Sequence, residues 1–179
     1  MEQIKLENKV CEITNKANEI TINQMVKCDS IINDKSKSEL DRYVEVVQTL
    51  TNLSIDDIEE LPIDTLKEVI RVIGEEDFSL EGLPFKNEVV IGGVTYKNKN
   101  TDKDKIKLTV KEVFTIKNYV KNTKDMSIPF IMGVIFREVI DGEISRDLSD
   151  EAISKRGGIL GDITLDVVLP FINALKTQL

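Results

Sequence analysis

Apolar residues recur at helical spacing along much of the chain. In "ELDRYVEVVQTL" Leu40, Tyr43, Val44, Val47 and Leu50 follow the i, i+3, i+4, i+7, i+10 spacing of one helix face. Ser36 with Glu39 matches a capping box ahead of it, and Ser54 opens a short acidic helix over "IDDIEE". Upstream, Thr21 is a suitable N-cap for a stripe of Ile22, Met25, Val26, Ile31 and Ile32. Downstream, Pro62 suits the first turn of a helix carrying Leu66, Val69, Ile70 and Ile73 to Gly74. Residues 21–76 therefore read as a helical lobe, preceded by an extended lead-in over 1–20 and followed by a connector over 77–87.

The period changes from 3.6 to 2 in "EVVIGGVTYKN", where two β-rich runs flank Gly92 and Gly93. A hairpin is expected there. "KIKLTV" then either adds a third strand or leads into a helix, with Thr109 and Glu112 as a second capping-box pair and Val113, Phe114, Ile116 and Val120 as its apolar positions. Ser127 and Pro129 open a further helix in "SIPFIMGVIFREV", expected over 128–139. Ser149 opens another, expected to stop at Gly157 and Gly158, and Asp162 caps a last one over 163–175 that Pro170 should kink. The fold class that follows is α+β, predominantly helical, with one small antiparallel β-hairpin or a three-stranded sheet, and residues 88–179 form a hairpin plus a helical C-terminal lobe.

The helices over 128–139 and 163–175 are apolar nearly all round, wider than an ordinary amphipathic stripe. They are either a core or a surface covered by another chain, and both readings stay open. If they face a partner, Phe130, Ile131, Val134, Phe136, Val168, Phe171 and Leu175 are the candidate interface, with self-association as one form of it.

Composition narrows the chemistry. Among 179 residues there is no histidine, which removes the commonest general base near neutral pH and every triad built on imidazole. The formal charge of −8, from 24 Lys+Arg and 32 Asp+Glu, repels phosphate backbones and anionic lipid, so neither nucleic acid nor membrane is an expected partner. Cys11 and Cys28 fit no zinc spacing and are too few for a disulfide framework, and the N-terminus does not read as a signal peptide, so free thiols and cytoplasmic synthesis are expected. No apolar run is long enough to span a bilayer.

Sites of other kinds fail on spacing. Gly92-Gly93 has no phosphate-loop pattern around it, and "NKNTDKDK" lacks the glycine and the final glutamate of a calcium loop. The Arg156-Gly157-Gly158 run stands alone and reads as a helix end. The acidic clusters "DDIEE" and "EED" suit helix starts and solvated faces. No catalytic, cofactor-binding or metal-ligating set is read from the residues.

The order of elements carries one resemblance. An "EITINQM" lead-in precedes "ELDRYVEVVQTLTNLSIDDIEELPIDTLKEVI", the hairpin "VVIGGVTYKN", and "LTVKEVFTIKNYVKN" followed by "IPFIMGVIFREV". This series resembles the tail assembly chaperones, or related small tail-associated proteins, of tailed bacteriophages, the matching pieces being Thr49 to Pro62, Val89 to Lys97, Thr109 to Val120, and Arg137-Glu138. The pair "TNLS" stands where a glycine turn is expected, and "NYVKN" has lysine where an acid is expected. The resemblance implies a non-enzymatic role in the host cytoplasm, holding a tape-measure or tail-tube protein before polymerisation. Its alternative is a structural subunit of the virion, in the tail, baseplate hub or connector.

Overall fold

A computed structural model describes residues 2–6, 9–75, 85–98, 101–102, 105–123 and 127–176. The chain divides into two compact units, Met1–Ser79 and Leu80–Leu179. Of the expected connector, 77–84 lies outside the described residues.

In the first unit a hairpin of β1 (Glu2–Lys5) and β2 (Val10–Ile13) precedes four helices, α1 (Ile22–Asn33), α2 (Glu39–Leu50), α3 (Ile55–Glu59) and α4 (Ile63–Gly74). The helix starts are set by side-chain caps. Thr21 accepts from the Gln24 amide at 3.2 Å while Gln24 Oε1 accepts from the Thr21 amide at 3.0 Å, and Ser54 with Asp57 repeats the exchange. The cap of α2 is Ser38 with Asp41, two residues beyond the expected Ser36 and Glu39. Ser36 is engaged elsewhere: its amide donates to Asp34 Oδ1 at 2.9 Å and its hydroxyl at 2.6 Å, a local turn that competes with helix initiation.

Residues 1–20 are more than a lead-in. The Thr14 amide donates to Leu50 O at 2.8 Å and the Glu12 amide to Asn52 Oδ1 at 2.9 Å, which ties β2 to the end of α2. Cys11 and Ile13 then share one core with Val47, Leu53, Ile58, Leu66, Val69 and Val72. Burial of this apolar area, at about 25 cal/mol per Å², holds β2 and the helices α2, α3 and α4 together.

The second unit is built on a sheet of order β3-β4-β7-β8, all neighbours antiparallel: β3 (Glu88–Ile91), β4 (Val94–Asn98), β7 (Phe136–Ile140) and β8 (Glu143–Ile144). A separate minimal ladder pairs β5 (Thr101–Asp102) with β6 (Lys105–Ile106), and the helices are α5 (Val110–Thr123), α6 (Ile128–Ile135), α7 (Asp150–Leu160) and α8 (Leu165–Lys176). The α+β class holds with substantial helix, but one small hairpin understates the sheet. Both tight turns have positive φ at their two central residues, Gly92 and Gly93 at 57° and 78°, Asp141 and Gly142 at 51° and 84°, as a two-residue hairpin matched to strand twist requires.

Three expected elements are revised. The helix expected over 128–139 ends at Ile135, and Phe136 enters β7 directly at φ −94°, ψ 123°. Pairing with β4 decides it: Asn98 faces Phe136 and Tyr96 faces Glu138 across the ladder, partners no local signal reveals. The helix opened by Ser149 does not stop at Gly157 and Gly158 but runs to Leu160; the glycine at 157 serves packing, since a Cβ there would lie 2.6 Å from Pro129 O. Gly157, and Gly133 facing the Ile153 carbonyl, let the backbones of α6 and α7 touch. The last helix begins at Leu165 and continues through Pro170.

Candidate functional site

The seven residues singled out as an interface are all inside the second unit. Phe130, Ile131, Val134, Phe136, Val168, Phe171 and Leu175 are between 0 and 7 % exposed, so the core reading replaces the partner-surface reading for both apolar helices. Their coverage comes from within the unit. Tyr119 on α5 stacks on Phe130 at 3.6 Å, while Phe136 and Phe85 meet the Phe171 ring edge-on, each at 5.1 Å.

Charged groups buried in this unit are held by structure. Arg137 Nη2 donates to Glu112 Oε1 at 2.6 Å, and Glu112 Oε2 accepts from the Thr109 amide at 2.7 Å, completing the capping pair expected from the sequence. Arg156 donates to two carbonyls, Nε to Gly133 at 2.9 Å and Nη2 to Asp147 at 2.8 Å, and burial lowers its pKa. Beside it, Glu138, Ser145, Asp147, Ser149, Glu151 and Lys155 line an open polar cleft of about 370 Å³. Hydrogen bonds from Ser149 hold the Asp147 carboxyl below its ordinary range, which makes it a weaker base. Among the described residues no group of three His, Cys, Asp or Glu is placed to hold a metal ion, and no helix is long and apolar enough to cross a membrane.

Open apolar surface lies elsewhere. In the first unit Leu40, Tyr43 and Ile63 are 52, 40 and 54 % exposed and, with Leu66 and Ile70, form a groove of about 520 Å³ between α2 and α4. The two helices explain it. Their C-terminal stretches bury Val47, Leu50, Val69 and Val72, whereas the stripe continues past the core at the N-terminal ends, where the described residues leave Leu40, Tyr43 and Ile63 open. Glu39 and Lys67 flank the groove, and the Tyr43 hydroxyl donates to Glu39 Oε1 at 2.7 Å, fixing the ring at its edge. Groove residues were legible as apolar, but the same i, i+3, i+4 signal describes a buried stripe, so exposure was not.

A second open face is on α5. Val110 and Phe114 are 73 and 62 % exposed and, with Leu108, Val113 and Lys117, border a depression of about 250 Å³. The phase of the helix requires this: Ile116 is fully buried, and Phe114, two residues earlier, is rotated about 200° from it at about 100° per residue. Lys117 and Lys121 fall on the Phe114 side.

Charge is divided unevenly between the two units. Met1–Ser79 carries nine Lys+Arg against eighteen Asp+Glu, and Leu80–Leu179 fifteen against fourteen, so −9 and +1 make up the total of −8. Within the second unit residues 97–124 hold nine lysines against Asp102, Asp104 and Glu112. No protein-family model, curated protein or solved structure matches the chain.

Proposed function

We propose that this chain is a non-enzymatic tail assembly chaperone of a tailed bacteriophage, which binds an aggregation-prone tape-measure or tail-tube protein in the host cytoplasm before that protein polymerises. The observation that carries the reading is the open groove in which the exposed Leu40, Tyr43 and Ile63 lie over a floor of Leu66 and Ile70. Contiguous exposed apolar surface rimmed by polar residues suits a protein partner, and at roughly 1.5–3 kcal/mol per fully buried large side chain a partner that covers it gains affinity. The −9 charge of the same unit keeps such a surface soluble. The resemblance of Thr49 to Pro62 and its neighbouring segments to tail assembly proteins supplies the class of partner. The interface is accordingly the groove, with the seven core residues supporting the fold.

Co-purification is the test. Tagged full-length chain co-expressed with the tail proteins of the same genome should retain the tape-measure or tail-tube protein, and Leu40→Glu with Ile63→Glu should release it. A second reading, a structural subunit of the virion, draws on the α5 face, since two separate open faces allow one subunit to touch two neighbours. Mass spectrometry of purified particles separates the two, because a chaperone is absent from them and a subunit is present at fixed stoichiometry.

A further inference from the structure

The two open apolar faces are opposite in their electrostatic setting. The groove between α2 and α4 belongs to a unit of charge −9, whereas the α5 face lies in a lysine-rich run whose single acid within the helix, Glu112, is buried against Arg137. The α5 stripe is convex, a helix surface led by the exposed Val110 and Phe114 rings and methyls, with Lys117 and Lys121 continuing the same side. The groove is concave, with an apolar floor of Leu66 and Ile70 and the exposed Leu40, Tyr43 and Ile63 along it.

We propose that the chain self-associates head to tail, the α5 face of one copy seating in the α2 and α4 groove of a second copy. Phe114 and Val110 enter the groove, and the lysines around them meet the acidic surface of the receiving unit. Helix-in-groove docking uses this i, i+4 spacing of anchors. A second copy supplies both surfaces on every chain, and their opposite charge together with the apolar contact holds the pair. The contact is heterologous, so a docked pair still has one free groove on one copy and one free α5 face on the other, and association continues beyond a dimer. Occupying the groove this way also excludes a tail protein from it, so the assembled form is a reserve of the binding-competent monomer.

Sedimentation of the purified full-length chain tests this without any tail protein, so its failure is separate from failure of the chaperone reading. At low salt the mass-average should rise past two chains between low and high micromolar protein, and it should fall towards the monomer at about 0.5 M salt, where screening acts over only a few ångströms. Leu40→Glu and Phe114→Glu, both at exposed positions and checked for unchanged circular dichroism, should each be monomeric. Mixed, they should form a one-to-one complex that grows no further, since one variant retains the groove and the other the α5 face. A chain monomeric at every concentration, a wild-type assembly that stops at two, or variants that fail to pair when mixed would overturn the proposal.

Discussion

Arg137 on β7 and Glu112 on α5 form a buried ion pair, Nη2 to Oε1 at 2.6 Å, which joins the helix bearing the exposed Phe114 to the central sheet. Glu112 also caps its own helix through Thr109, so one carboxylate sets both where α5 begins and where it is anchored. Removing one partner leaves the other charge buried. Glu112→Ala should cost about 3–5 kcal/mol in urea unfolding followed by circular dichroism, and Glu112→Leu with Arg137→Met should cost less than the single change.

The α6 and α7 backbones meet through Gly157, and this predicts opposite outcomes at adjacent glycines. A Cβ at Gly157 would lie 2.6 Å from Pro129 O, so Gly157→Ala should destabilise by about 1–3 kcal/mol through forced separation of the helices. Gly158 has nothing within 4 Å of the same position, and Gly158→Ala should stabilise by up to about 1 kcal/mol from helix propensity. Thermal unfolding of the two variants reads both signs.

Asp57 gives the first unit a titration signature. Lys9 Nζ and Ser54 Oγ donate to its carboxylate and hold its pKa at about 2, against an ordinary 3.8. A depressed carboxyl contributes stability that is complete above the ordinary value and is lost as pH falls through about 2. Carboxyl NMR should place the Asp57 midpoint near the bottom of that window, and Lys9→Ala should move it upward while Ser54 keeps it from returning fully.

The two cysteines should differ in reactivity. Cys11 is fully buried in the core of the first unit and Cys28 is half-buried on α1, and burial raises both thiols above their ordinary value. Labelling of the native chain at neutral pH should reach Cys28 slowly and leave Cys11 untouched until urea unfolds the unit. Equal native rates would contradict the packing of β2 into that core.

Local chemistry was the legible part of this fold. Thr21, Ser54, Thr109 and Gly92-Gly93 do what their neighbours in sequence dictate, because caps and tight turns are completed within three or four residues. The Asp141-Gly142 turn carries an equally local signal between "REVI" and "EIS", and it places β7 and β8 in the sheet. Long-range packing was not legible. Phe136 becomes a strand residue because β4 is beside it, and Gly157 is a packing glycine inside α7, where Pro129 approaches, and not a helix end. For the candidate site the consequence is an inversion: the most apolar residues, Phe130 to Phe136, are covered, while the moderate stripes of α2, α4 and α5 extend beyond their own core. Hydrophobicity measures the need for cover, and only the assembled unit shows which stripes receive it.

Hydrogen exchange of the full-length chain, alone and in complex with a co-expressed tape-measure or tail-tube protein, tests the chaperone reading most directly. Binding in the groove predicts added protection over residues 39–44 and 63–70, with 128–140 and 165–176 already protected and unchanged. No added protection in the groove, or protection gained instead within the two buried helices of the second unit, would contradict it.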